Sequence, residues 1–193
     1  MPVILASASP RRRNILSTLG VDFEIRPVTI DEPDPTGLGE PSAAARELAC
    51  WKARHVARSL KEGTVIGSDT IVAVGETILG KPASAGDARR ILSFLSGKVQ
   101  DVISGLCLVH KPTGVELSGF DRTRIYTKPM TLDEIDAYVA TGECFGKAGA
   151  YAIQETGDRF VERIEGSFDN VVGFPTELFL ETFEELGRKV NGR

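Results

Sequence analysis

The sequence is poor in the residues that build covalent or metal frameworks. Its three cysteines, Cys50, Cys107 and Cys144, are odd in number, widely separated and without CxxC or histidine-paired spacing. Neither a disulfide framework nor a structural zinc site is suggested, and a reducing cytoplasm suits them. Histidine is scarcer: His55 and His110 are the whole supply, little material for a histidine triad or a multi-histidine metal centre. No run of about 18 apolar residues occurs, and no charged leader precedes an apolar stretch at the N-terminus, so neither a membrane span nor a secretory signal is expected. Positive charge is not in surplus. A net charge of -4 argues against a general nucleic-acid or anionic-membrane binder, so anion binding has to be local. Neither GxGxxG after the first strand nor GxxxxGK[ST] is present, which argues against a Rossmann or Walker site. Internal repeats and low-complexity segments are lacking too.

What is there is enough for one sizeable core. With 193 residues, 41% of them hydrophobic, the chain is expected to form a single domain over 1–193 with two lobes around a cleft. Val3 to Leu5 reads as a buried strand; Ser9, Pro10 and Gly20 then supply the cap, first turn and stop of a helix. Val21 to Val28 alternates as a half-buried strand does, and Thr29 to Pro41 is a turn-rich loop. Helical spacing predicts Ser42 to Leu60 and Ser84 to Leu95 as helices around a β-branched strand, Thr64 to Val74, and its return through Thr77 to Pro82. Val99 to His110 and Val115 to Thr127 read as a long hairpin, followed by a helix with a capping-box start near Thr131. Phe160 to Gly166 and Asn170 to Gly173 read as final short strands before a helix from Pro175. The interleaving with hairpins predicts an α/β fold with an elongated, mixed central sheet flanked by helices.

Several residues stand out chemically. Arg11, Arg12 and Arg13 fall in a helical first turn, where unpaired N–H groups and the dipole favour an anion such as a polyphosphate; a solvated basic turn is the plainer reading. Asp31, Glu32 and Asp34 lie in an acidic loop that is either solvated surface or a source of hard-cation ligands. Lys52, on an amphipathic helix, reads as solvent-facing, Trp51 and His55 read as packing and surface residues, and His110, at the hairpin, reads as surface. Asp69 interrupts an interior strand, where a carboxylate is costly unless a charge or hydrogen bond meets it, so it either partners a buried cation or lines a site. Lys81 is expected near it. Gln154, which looks buried, is either a satisfied core amide or a flat donor–acceptor for a pyrimidine edge.

Taken together, Ser9-Pro-Arg-Arg12-Arg13-Asn-Ile-Leu16, Gly67-Ser-Asp69-Thr70, Gly80-Lys81-Pro82, Lys147-Ala-Gly149-Ala-Tyr151-Ala-Ile-Gln154 and Asn170-Val-Val-Gly173-Phe-Pro175 closely resemble the Maf family of nucleoside triphosphate pyrophosphatases. The likeness spans nearly the whole chain in the right order. It implies an inosine-triphosphatase-like (Maf/Ham1) fold and a cytoplasmic, Mg²⁺- or Mn²⁺-dependent hydrolase that cuts a nucleoside triphosphate to the monophosphate and pyrophosphate. Asp69 matches the family's catalytic carboxylate. Arg12, Thr70 and Gln154 match positions tied to substrate choice in the branch resembling dTTP and UTP pyrophosphatases. Ser9, Glu32, Lys52 and Lys81 match other site positions, with Arg13 beside them on the substrate side. On that resemblance Asp69, Lys81 and Lys52 are catalytic, Ser9, Arg12, Arg13, Thr70 and Gln154 bind substrate, and Glu32 with Asp69 holds the metal. The chain departs from the pattern at Asp101, where histidine is frequent, at Ser104-Gly105, where Thr-Gly is frequent, and at Phe174, usually leucine. The partners implied are a small-molecule nucleotide, with no nucleic acid and no membrane, and with room for a homodimer. A non-catalytic nucleotide sensor or regulator of cell division and septum formation is the rival reading.

Overall fold

The computed structural model describes residues Met1 to Gly192. Within these residues seven strands form one sheet: β1 (Val3–Leu5), β2 (Glu24–Ile25), β3 (Gly63–Val74), β4 (Thr77–Leu79), β5 (Val99–Lys111), β6 (Glu116–Thr127) and β7 (Val161–Glu165). Their order is β2-β1-β3-β5-β6-β7, with β4 paired to β3. β1 runs parallel to β2 and β3, whereas β4 and β7 run antiparallel to β3 and β6. The sheet is therefore mixed, as the hairpins in the sequence require. Among the described residues six α-helices accompany it: α1 (Pro10–Thr18), α2 (Pro41–Ala57), α3 (Ala85–Leu95), α4 (Leu132–Ala140), α5 (Phe168–Val172) and α6 (Thr176–Asn191). Among the described residues no helix is long and apolar enough to cross a membrane.

The chain parts into two compact units. Unit 1 takes Met1–Thr70, Ser104–Asp121 and Gly173–Arg193; unit 2 takes Ile71–Ile103 and Arg122–Val172. In unit 1 the period-2 alternation of the strands sorts the core into two faces. Ile4, Val65, Cys107 and Val109 pack with Ala49, Ala53 and Val56 of α2. Their strand neighbours Leu5, Ile66, Leu106 and Leu108 pack with Leu16 of α1 and Phe179 and Leu186 of α6. Helices thus cover both sides of the sheet here. α2 lies very close to it, because Gly67 and Gly105 present no side chain: a Cβ on either would strike the α2 backbone at Ala49 or Ala45. In unit 2, Ile91, Leu92 and Leu95 of α3 and Ile135 and Tyr138 of α4 form one core with Val72, Val102 and Ile125. The other face of β6 there carries exposed Arg122 and Arg124.

Three predicted features differ from the structure. Val21 to Val28 pairs only at Glu24–Ile25, because β1 is itself three residues long and offers no longer edge. Asn170 to Gly173 is no strand: Phe168–Val172 forms the short helix α5, with Asn170 buried and donating to Val102 O and Thr123 Oγ1. His110 is buried at 3% exposure, its ring nitrogen bonded to Thr64 Oγ1 at 3.1 Å. The α4 start follows the predicted capping box, Thr131 with Glu134.

Candidate active site

The site in unit 1 is set by where β1 stops. β1 pairs with β3 as far as Leu5 and Ile66, with one further bond from Ala6 N to Ile66 O, so Gly67 to Thr70 of β3 run on past its end. Ala6 to Ser9 make the turn from β1 into α1. Ser9 caps that helix, its side chain accepting from Arg12 N, and Pro10 occupies the first turn. Strand alternation sends Asp69 to the α2 side and Thr70 to the α1 side.

On the α1 side Arg12, 9% exposed, donates from Nε to Gly173 O at 2.9 Å, from one terminal nitrogen to Ser7 Oγ at 3.2 Å and from the other to Thr70 Oγ1 at 3.1 Å. Thr70 Oγ1 also lies 2.8 Å from Ser104 Oγ and donates to Gly173 O at 3.2 Å. Neutral acceptors therefore hold the guanidinium on all three nitrogens. Burial depresses its pKa below the arginine value, Arg11 adds to that, and the negative charges of Asp69 and Glu32 oppose it.

On the α2 side Lys52 is buried, not solvent-facing as its helix position suggested: it is 6% exposed. Its ammonium stands 2.5 Å from Asp69 Oδ1 and 2.9 Å from Glu32 Oε2. Of the two alternatives for Asp69, a cation's partner or a site lining, the structure supplies the cation and leaves the carboxylate partly open, its side chain 15% exposed. Ala6, Ser7, Ala8, Pro27, Val28, Glu32 and Lys52 line a pocket of about 90 Å³. Sites that enclose a drug-sized ligand run to roughly 300–1,000 Å³, so this hollow is scaled to a phosphoryl group or an ion. Two carboxylates converging from separate segments are hard oxygen donors of the kind Mg²⁺ and Mn²⁺ take. The donor set fits such a cation.

Seven predicted residues lie in unit 1, and six of them make up these two sides: Ser9, Arg12, Glu32, Lys52, Asp69 and Thr70. Arg13 lies on α1 with its side chain exposed, away from the hydrogen bonds that hold Arg12. Lys81 and Gln154 belong to unit 2. Both are exposed, which corrects the reading of Gln154 as a buried amide: it sits in the turn between two short 3-10 segments, Ala148–Ala150 and Thr156–Phe160, where no element covers it. Asp101, also in unit 2, faces Arg122 and Arg124 at 3.6 and 3.7 Å. Sequence reasoning missed Ser7, Ser104 as a partner of Thr70, and the Gly173 carbonyl. Ser7 carried a weak signal in the Ala-Ser-Ala-Ser turn; a carbonyl carries none.

Comparison with known proteins settles the lineage. The family model described as Maf-like protein matches residues 2–186. The chain belongs to the Maf family. Among Maf relatives, one from Moorella thermoacetica is 45% identical over 191 residues, 99% of this chain and 98% of its own. Another, from Thermococcus onnurineus, is 46% identical over 185 residues, 96% of this chain and 97% of its own. A third, from Ruminiclostridium cellulolyticum, is 39% identical over 188 residues, 97% of each chain. All three carry the name dTTP/UTP pyrophosphatase. Among solved structures, a nucleoside-triphosphatase / dITP/XTP pyrophosphatase from Mycobacterium abscessus aligns at 19% identity and a TM-score of 0.42, over 66% of this chain and 73% of that one; so loose a superposition carries no argument.

Proposed function

We propose that this Maf chain hydrolyses dTTP and UTP to the nucleoside monophosphate and pyrophosphate. The observation that carries the mechanism is the Lys52 ammonium set between Asp69 and Glu32 beside a phosphoryl-sized hollow. Phosphoanhydride hydrolysis asks a protein for position and charge more than for covalent chemistry. Asp69 and Glu32 are the residues that would hold Mg²⁺ or Mn²⁺. When bound, the cation draws charge from the phosphate oxygens and so eases attack at phosphorus.

The chain's own groups have separable tasks. Arg12, desolvated and paired with neutral acceptors only among the described residues, offers an unneutralised charge to the polyphosphate. The α1 N-terminus, capped by Ser9, adds the positive end of the helix dipole alongside it. Lys52 fixes Asp69 through Oδ1, so Oδ2 is the one oxygen left, and it alternates between holding the cation and taking the proton of the attacking water. Thr70, tied to Ser104 and Gly173, holds the guanidinium in place. Substrate-binding roles for Arg13 and Gln154 and a catalytic role for Lys81 rest on the family resemblance alone. A cytoplasmic nucleotide pool is the setting this reading requires.

The test is pyrophosphate release from a panel of nucleoside triphosphates, with and without Mg²⁺ or Mn²⁺. Release from dTTP and UTP above ATP, GTP and CTP, abolished by chelation, is expected. No release from any nucleotide with either metal would leave a binding regulator as the surviving reading.

A further inference from the structure

A second cluster in unit 1 is not used by this mechanism. Cys50 on α2, Cys107 on β5 and Glu116 on β6 come from distant parts of the sequence, yet their two sulfurs and a carboxylate oxygen lie within 4.8 Å of one another. The close seat of α2 at Gly67 and Gly105 brings this about, since it sets the α2 side chains down on the strand face that carries Cys107. Cys50 and Cys107 hydrogen-bond through their sulfurs. Ser118, two residues beyond Glu116 and on the same face of β6, also hydrogen-bonds Cys50.

We propose that Cys50, Cys107 and Glu116 form a binding site for a thiophilic divalent cation, with Zn²⁺ as the class representative and Ser118 or a water completing four ligands. Tetrahedral Zn–S and Zn–O bonds of about 2.3 and 2.1 Å put neighbouring S–S and S–O ligand atoms roughly 3.6–3.8 Å apart, so from separations within 4.8 Å the cluster needs to contract by no more than about 1.2 Å. Uptake releases the two thiol protons to solvent and leaves a dithiolate complex, with no change of oxidation state. Both sulfurs are buried, at 2% and 0% exposure for their residues, and the entrance is at the exposed Glu116. Arg54, one turn after Cys50, now holds that carboxylate through Nε and a terminal nitrogen at 3.0 and 2.7 Å. It has Glu47 at 2.9 Å as an alternative partner when Glu116 turns inward. Two soft donors distinguish this site from the all-oxygen pair Asp69 and Glu32, and the proposal stands whether or not the chain hydrolyses nucleotides.

The experiment is a Cd²⁺ titration of the fully reduced protein in excess Mg²⁺, following the sulfur-to-cadmium charge-transfer band and its displacement by Zn²⁺. One equivalent is expected, with a raised Tm on loading. The band should be lost in Cys50→Ser and Cys107→Ser and kept in Cys144→Ser. Glu116→Gln, at the protein rim, removes no core packing and should weaken binding about 10–100-fold; it decides the matter if a serine variant fails to fold. Absence of a stoichiometric band, its survival in Cys50→Ser or Cys107→Ser, or an unchanged affinity in Glu116→Gln overturns the site.

Discussion

The two units treat charge in opposite ways. Among the described residues, every buried cationic side chain lies in unit 1, namely Arg12 and Lys52, and the buried histidine His110 lies there too. Unit 2 fully buries only neutral polar groups, Gln100, Thr123, Thr127 and Asn170, and keeps its arginines and lysines at the surface except Lys147, which is half-buried and paired with Glu155 at 2.9 Å. A desolvated charge is costly, and nothing in the packing of unit 1 asks for two of them. They are what a polyphosphate site needs, whereas unit 2 is built as an ordinary core is built.

The sharpest way to break that contrast is Asp69→Asn, which removes the carboxylate that Lys52 positions. Turnover should fall about 10²–10⁴-fold, measured as pyrophosphate release, with nucleotide affinity largely kept. Retained turnover would strip unit 1 of the chemistry assigned to it. Arg12→Met should lower kcat/KM about 10²-fold while denaturant unfolding shows stability unchanged or raised, because the lost charge was held against burial. A clear loss of stability would instead make Arg12 a structural tie.

In unit 2 the expected effects are smaller. Gln154→Glu, on an exposed turn, should leave the fold intact and change the UTP-to-CTP rate ratio about tenfold; an unchanged ratio removes it from base choice. Burial pushes the Tyr138 hydroxyl up to about 12. Since the unfolded tyrosine ionises near 10, its stabilising contribution is complete below that pH and disappears as pH rises to about 12. Alkaline unfolding curves should show this decline, and Tyr138→Phe should flatten it.

Much of this was legible in the residues. Period-2 and helical spacing placed α1, α2, α3, β3, β5, β6 and the capped α4, because each buries a clean face. Asp69 announced itself as a carboxylate where the strand pattern forbids one. Lys52 did not, since its burial is decided by Asp69 and Glu32 arriving from β3 and a loop, and no helical pattern contains them. The segment that became α5 misled for a related reason: Asn170, Val171 and Val172 favour a strand locally, but Asn170 finds its partners, Val102 O and Thr123 Oγ1, only from a helical turn. Likewise the spacing of Cys50 and Cys107 gave no hint of their meeting.

Gly67 and Gly105 leave no slack between α2 and the strands beneath it. The same helix carries Lys52 to one acid cluster and Cys50 to its sulfur neighbour, so a single methyl group at either glycine would lever both away together. Mutational tolerance in this protein is thus set by two positions that touch no substrate, and a defect there would masquerade as a fault of catalysis.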